Sequence, residues 1–146
     1  MEVRTKIEIS EFSEEDRVIL RHLYAEVKAE TFHKLGKQNV DSNDFDEDTK
    51  GESVLVAKID GNIAGFISVW LPDNFIHHLY VRKQDQRKGI GSELIESVKA
   101  QVNGTLTLKC VEDNVAAVQF YETNGWKIQS KGISENGSFI LFQLNP

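Results

Sequence analysis

Gln86-Arg87-Lys88-Gly89-Ile90-Gly91 is the stretch on which the reading of this 146-residue chain turns. It follows an apolar run ending in Leu79-Tyr80-Val81 and opens a helical pattern, Ser92-Glu93-Leu94-Ile95-Glu96-Ser97-Val98. A helix N-terminus leaves backbone N–H groups unpartnered and its dipole favours negative charge, so a strand, a basic glycine loop and a helix in succession suit a phosphate. Gly89 and Gly91, lacking Cβ, let the backbone approach a ligand and reach positive φ. Arg82, Lys83, Arg87 and Lys88 fall within seven residues of a chain that carries 17 basic and 23 acidic residues, a net charge of −6. A local basic patch on an acidic chain points to an anionic ligand at one place, not to general nucleic-acid affinity. Two familiar nucleotide motifs are excluded. No Lys-Ser/Thr pair follows the last glycine, as a P-loop requires, and the first glycine of the dinucleotide fingerprint is missing.

The length predicts one domain spanning residues 1–146, large enough to bury roughly two-thirds of the unfolded chain's surface. The composition, 40% hydrophobic and 27% charged, is that of an ordinary globular protein. The lone cysteine, Cys110, excludes an internal disulfide and suits a reducing cytosol. Residues 1–6 lack the apolar core of a signal peptide, and no apolar run approaches the ~20 residues of a membrane helix. A cytoplasmic protein without membrane or nucleic-acid partners is the expectation. No metal is expected either. Paired cysteine or His-Glu-x-x-His spacings are absent, and His77-His78, as neighbours on a strand, should point to opposite faces.

Alternation predicts a strand over residues 3–9. Ser13, followed by Glu14, Glu15 and Asp16, reads as a helix N-cap, and Leu20, Leu23, Tyr24 and Val27 form an amphipathic stripe. Residues 36–52 read as a long acidic loop with a short helix around Phe45, and loops of that length are often lids or binding loops. Ser53–Ile59 and Asn62–Trp70 flank Asp60-Gly61, a hairpin signal. Phe75–Val81 is the strand that feeds the glycine loop, and its helix stops near Asn103-Gly104. A strand over residues 105–111, a helix from Asn114 to Asn124-Gly125, and strands over 126–130 and 138–144 complete the pattern. This order predicts an α/β (α+β) fold, a mixed sheet with helices on its faces.

These residues resemble the GNAT superfamily of N-acetyltransferases. Leu79-x-Val81 with Gln86-x-x-Gly89-x-Gly91 is similar to that family's acetyl-CoA pyrophosphate motif. Asn114-x-x-Ala117-x-x-Phe120-Tyr121 with Asn124-Gly125-Trp126 is similar to its second signature. The match is tight from Phe75 to Lys127. The resemblance implies a mostly antiparallel central sheet of six to seven strands, with one splayed parallel pair formed by Phe75–Val81 and residues 105–111. It implies acetyl-CoA as co-substrate, with the pantetheine amides meeting the main chain along Leu79, Tyr80 and Val81. The pyrophosphate would sit on the amides of Gln86, Arg87, Lys88, Gly89, Ile90, Gly91 and Ser92, with Asn114, Ala117 and Tyr121 beside the pantetheine and thioester. Many relatives dimerise, so a homodimer is open.

Acetyl transfer to an amine needs a base, because an alkyl ammonium titrates near ~10 and is mostly protonated at neutral pH. Many relatives place a glutamate on the strand before the glycine loop, and here that strand carries none. Histidine suits the task. Alternation puts His77 with Phe75, Leu79 and Val81, and His78 with Ile76 and Tyr80. Relatives with histidine on this strand favour His77, while His78 and a water chain stay open. Tyr121 is the resemblance's candidate for the acid that protonates the leaving thiolate. Asn114 serves equally as a helix N-cap. The acceptor is a primary amine of a small molecule or of a peptide or protein. The acidic loop could attract such a cation or simply be solvated charge. The competing reading is an acyl-CoA-binding regulatory module that transfers nothing.

Overall fold

The computed structural model describes residues 6–34, 43–135 and 137–146. Residues 3–5 of the first expected strand and residues 36–42 of the acidic loop therefore lie outside the described residues. The elements run β1 (Ile7–Glu11), α1 (Arg17–Lys34), α2 (Asp44–Asp48), β2 (Ser53–Ile59), β3 (Asn62–Trp70), β4 (Phe75–Val81), α3 (Ile90–Gln101), β5 (Leu106–Val111), α4 (Val115–Thr123), β6 (Lys127–Ser134) and β7 (Gly137–Leu144). They form one seven-stranded sheet in the order β1-β2-β3-β4-β5-β7-β6. Every neighbouring pair is antiparallel except β4 and β5.

Helices cover both faces, each with its own apolar cluster. On one face Ile90, Leu94, Ile95 and Val98 of α3 and Tyr121 of α4 pack on Ile67, Val69, Ile76, Leu106 and Leu108. On the other, Leu20, Leu23 and Tyr24 of α1 and Phe45 of α2 pack on Val56, Ile63 and Phe66. Each fully buried aliphatic side chain contributes about 1.5–3 kcal/mol. At the entry to α1 the Asp16 carboxylate accepts the Ser13 N–H at 3.1 Å and pairs with Lys58 at 3.2 Å. The β2–β3 hairpin turns on Asp60 (φ 52°) and Gly61 (φ 80°), two consecutive left-handed residues as a tight two-residue turn requires.

Two expectations need correction. The last hairpin is longer than alternation suggested: β6 runs to Ser134 and begins after Trp126, which is buried in the core. Gln129-Ser130-Lys131-Gly132 carries no apolar alternation, yet the strand continues because Phe139 of β7 lies over Gly132. A Cβ there would come within 2.5 Å of that ring. The second correction concerns β4. Ser68 pairs with His78 and Val69 with Ile76, so His77 is an extra residue, a β-bulge, without a partner on β3. A bulge shifts the alternation by one. Ile76 therefore shares a face with Leu79 and Val81. His78 and Tyr80 turn to the other face, against Tyr24 and Phe66.

Opposite the far end of β4, Gly65 pairs with Val81, and a Cβ on it would lie 2.5 Å from the Tyr80 carbonyl oxygen. Backbone cannot yield as a side-chain tip can. Gly65→Ala is expected to lower stability by about 1–3 kcal/mol, read as a fall in the urea midpoint. An unchanged midpoint would contradict this close approach.

Candidate functional site

β4 and β5 are in register at only two pairs, Phe75 with Thr107 and Ile76 with Leu108, and then part. Each stays anchored on its far side, β4 along β3 and β5 along β7. The gap opens toward the loop between β4 and α3. There a single 3-10 turn (residues 83–85) leads to an extended Gln86. Arg87 and Gly89 adopt left-handed φ values of 65° and 85°. The first amide returned to the helix is Glu93 N–H, on the Gly89 carbonyl at 3.0 Å. The amides before it in the first turn have no intrahelical acceptor. Gly89 faces open space. Gly91 does not: a Cβ there would meet the Phe120 ring at 3.3 Å, so its missing side chain lets α3 and α4 approach.

The basic patch is partly compensated from within. Asp85, only 5% exposed, accepts Arg82 at 2.6 Å and Lys88 at 2.9 Å, which cross-links the loop internally. Burial would raise the Asp85 carboxyl, but the hydrogen bonds from Lys88 and Arg82 hold it below the ordinary carboxylate range. Lys83 lies outside this cluster and pairs with Glu30 at 3.7 Å. The Gln86 side chain donates to the Val81 carbonyl at 3.2 Å, filling one acceptor at the mouth of the gap.

Leu79, Gly91 and Phe120 meet across the cleft, Leu79 Cδ2 lying 3.9 Å from the Gly91 Cβ direction. Asn114 caps α4, its Oδ1 accepting the Ala117 N–H at 3.3 Å. Tyr121, two turns beyond the cap, packs its ring against Phe120, Trp126 and Phe142. Burial pushes its phenol up, with the nearby Cys110 adding to the effect, so the hydroxyl stays protonated across the neutral range.

The histidines are separated in role by the bulge but not in space. Their rings lie 4.0 Å apart. His78 is 7% exposed on its side chain, and its nitrogens face Ser68 Oγ at 2.7 Å and Tyr24 OH at 3.3 Å. Burial pushes it down to about 3, so its imidazole is neutral at physiological pH and a weak proton acceptor. His77 is 44% exposed, with Nδ1 2.7 Å from Glu52 Oε2. Glu52, at the entry to β2, is a residue the sequence reading passed over as the end of an acidic loop. Nothing in its local pattern distinguishes it, because only sheet pairing brings β2's start beside β4's bulge.

Glu52, His77 and His78 thus offer three ligand-type atoms within 4.8 Å of one another, and the expectation that adjacent strand histidines diverge fails here. The 2.7 Å contact is nonetheless a hydrogen-bond distance, whereas two ligands of one tetrahedral zinc stand ~3.3 Å apart. The acidic stretch is also engaged rather than free. Asp46 binds Arg17 and Arg21, Asp44 binds Lys28, and Asp48 binds Lys28 and the Tyr24 hydroxyl. These carboxylates clamp α2 onto α1. Asp41 lies outside the described residues. No helix among the described residues is long and apolar enough to cross a membrane.

The profile of the acetyltransferase (GNAT) domain family matches residues 19–141. No curated protein sequence matches the chain. Among solved structures, the chain is similar to the PaiA N-acetyltransferase of Thermoplasma acidophilum in complex with coenzyme A. The TM-score is 0.74 at 19% identity, over 97% of this chain and 99% of that one. It is similar to yncA of Salmonella typhimurium with its cofactor acetyl-CoA (TM-score 0.70, 18% identity, 95% and 93% covered). It is also similar to the ribosomal-protein-alanine N-acetyltransferase of Brucella melitensis (TM-score 0.70, 20% identity, 95% and 99% covered). At such identities the likeness carries the fold.

The depressed His78 value sets a pH dependence. The unfolded chain takes up this proton near 6.5 and the folded chain only near 3. The stability contributed by neutral His78 is therefore complete above about 6.5 and is lost as pH falls toward 3, at ~1.4 kcal/mol per pH unit. In His78→Gln this component is expected to vanish, so urea unfolding between about pH 6.5 and 4 should fall less steeply than in wild type. Equal slopes would refute the buried neutral imidazole.

Proposed function

Because the chain belongs to the GNAT acetyltransferase family, we propose that it transfers the acetyl group of acetyl-CoA to a primary amine of a small molecule, peptide or protein, by direct attack in a ternary complex. The observation that carries this is the parting of β4 and β5 above an unpaired helix N-terminus. The edge of β4 beyond Ile76, without a ladder partner on β5, matches the amides of a pantetheine arm in kind around Leu79, while the Gln86 side chain already takes the Val81 carbonyl. The amides of residues 87–92 suit a pyrophosphate, with Arg87 adding charge, while the Gln86 N–H already goes to the Lys83 carbonyl at 3.4 Å.

When bound, acetyl-CoA supplies an activated thioester, and the chain's own residues handle protons. An acceptor ammonium loses one proton to His77, whose exposed ring is better placed than that of buried His78. The freed amine attacks the thioester carbonyl, the C–N bond forms, and the C–S bond breaks. Tyr121 gives its phenol proton to the leaving sulfur and is reprotonated by the second proton from the nitrogen. Burial keeps the Tyr121 hydroxyl protonated at neutral pH, as a proton donor requires. His78 acts here through packing: its bonds to Ser68 and Tyr24 hold the bulge that presents His77. The lone, buried Cys110 supports a reducing, cytoplasmic setting.

Incubation with acetyl-CoA and a panel of amines and peptides is expected to release free thiol with at least one acceptor. Saturable acetyl-CoA binding with no turnover on any of them would favour the regulatory module instead. Tyr121→Phe is expected to lower kcat about 100-fold while leaving acetyl-CoA affinity unchanged. Full activity in that variant would remove the assigned proton donor.

A further inference from the structure

We propose that Glu52 is a positioning residue for His77, forming with it a carboxylate–imidazole pair that aims Nε2 at the acceptor amine. The inference rests on the acetyl-transfer reading. Glu52 is 6% exposed on its side chain, and its Oε2 accepts the His77 Nδ1–H at 2.7 Å. That bond assigns the tautomer: with the proton on Nδ1, Nε2 carries the lone pair and is the nitrogen able to take a proton. Among the described residues no hydrogen bond to His77 Nε2 is made, and the side chain is 44% exposed.

The other Glu52 oxygen supplies the second observation. Among the described residues Oε1 has no hydrogen-bond partner, although it is buried; it lies 3.9 Å from His78 Nδ1, which is already held by Ser68. A buried carboxylate oxygen left unpaired is costly for stability alone. Its charge is not spread over other donors, so it is available to stabilise the imidazolium that forms when His77 takes the ammonium proton. The bulge is what makes the arrangement possible. A regular β4 would send His77 and His78 to opposite faces, whereas the extra residue brings both rings to one carboxylate. No atom changes hands through Glu52. The proton passes from the acceptor nitrogen to His77 Nε2 and on to solvent, and Nδ1–H stays on its carboxylate.

Glu52→Gln keeps the shape and an amide oxygen but removes the charge. It is expected to lower kcat at least about tenfold, with KM for acetyl-CoA and the melting temperature unchanged, and Glu52→Asp is expected to recover part of the loss. In a double-mutant cycle, His77→Gln with Glu52→Gln should be no slower than His77→Gln alone, because Glu52 acts only through His77. Nitrogen-15 histidine spectra, assigned with His77→Gln, should report the Nδ1–H tautomer in wild type and a shift toward Nε2–H in Glu52→Ala. Three results would overturn the proposal: unchanged kcat in Glu52→Gln, additive losses in the cycle, or an Nε2–H tautomer in wild type. Inactivation by a chelator with recovery on added zinc would also overturn it, by giving the three clustered atoms to a metal. Absence of thiol release from wild type would remove the acetyl-transfer reading, while the spectra would still report on the pair.

Discussion

Two strands that run parallel for two residue pairs and then separate impose the constraint around which this molecule is arranged. Beyond Ile76 and Leu108 the facing edges of β4 and β5 have no ladder partners. Unpaired main-chain groups away from water are costly, so such a gap persists only if the strands are held apart from outside. That is what the rest of the sheet does: β3 grips β4 through six registered pairs and β7 grips β5 through six more. The gap leads to the first turn of α3, whose amides are likewise unpaired. Both features leave the same kind of group exposed, and a long ligand with amides at one end and a diphosphate in the middle matches both.

The bulge at His77 is the second decision made by the sheet. It moves Ile76, Leu79 and Val81 onto one face and His78 and Tyr80 onto the other. One histidine is thereby buried between Tyr24 and Ser68, where desolvation keeps it neutral. The other stays at the surface with a carboxylate behind it. Two identical residues in adjacent positions thus receive different surroundings, His78 a buried pocket that keeps it neutral and His77 an exposed place beside a carboxylate.

Charge is organised as local compensation rather than as broad fields. Asp85 pairs with both Arg82 and Lys88, so the glycine loop is stiffened by an internal ion cluster in which one carboxylate offsets one of two positive charges. The acids of α2 are used in the same way against Arg17, Arg21 and Lys28. In the sequence both segments look like lures for charged ligands, because composition records charge but not its partner. The structure turns most of that charge inward.

By itself the sequence determined what depends on local pattern. The Asp60-Gly61 hairpin, the strand–loop–helix around Gly89, the Asn114 cap and the element order all follow from periodicity and turn chemistry read within a few residues. So does the family resemblance, which rests on two short motifs. Tertiary structure decided what depends on residues distant in the chain. Phe139 makes β6 continue through Gly132, Phe120 explains Gly91, and Glu52 meets His77, a partner that no local window contains. The bulge belongs here too, since it is defined only by the register of β4 against β3. The physical reason is the same throughout: backbone preference is set by neighbours in sequence, whereas a side chain's protonation, partner and direction are set by what the fold places within a few ångströms of it.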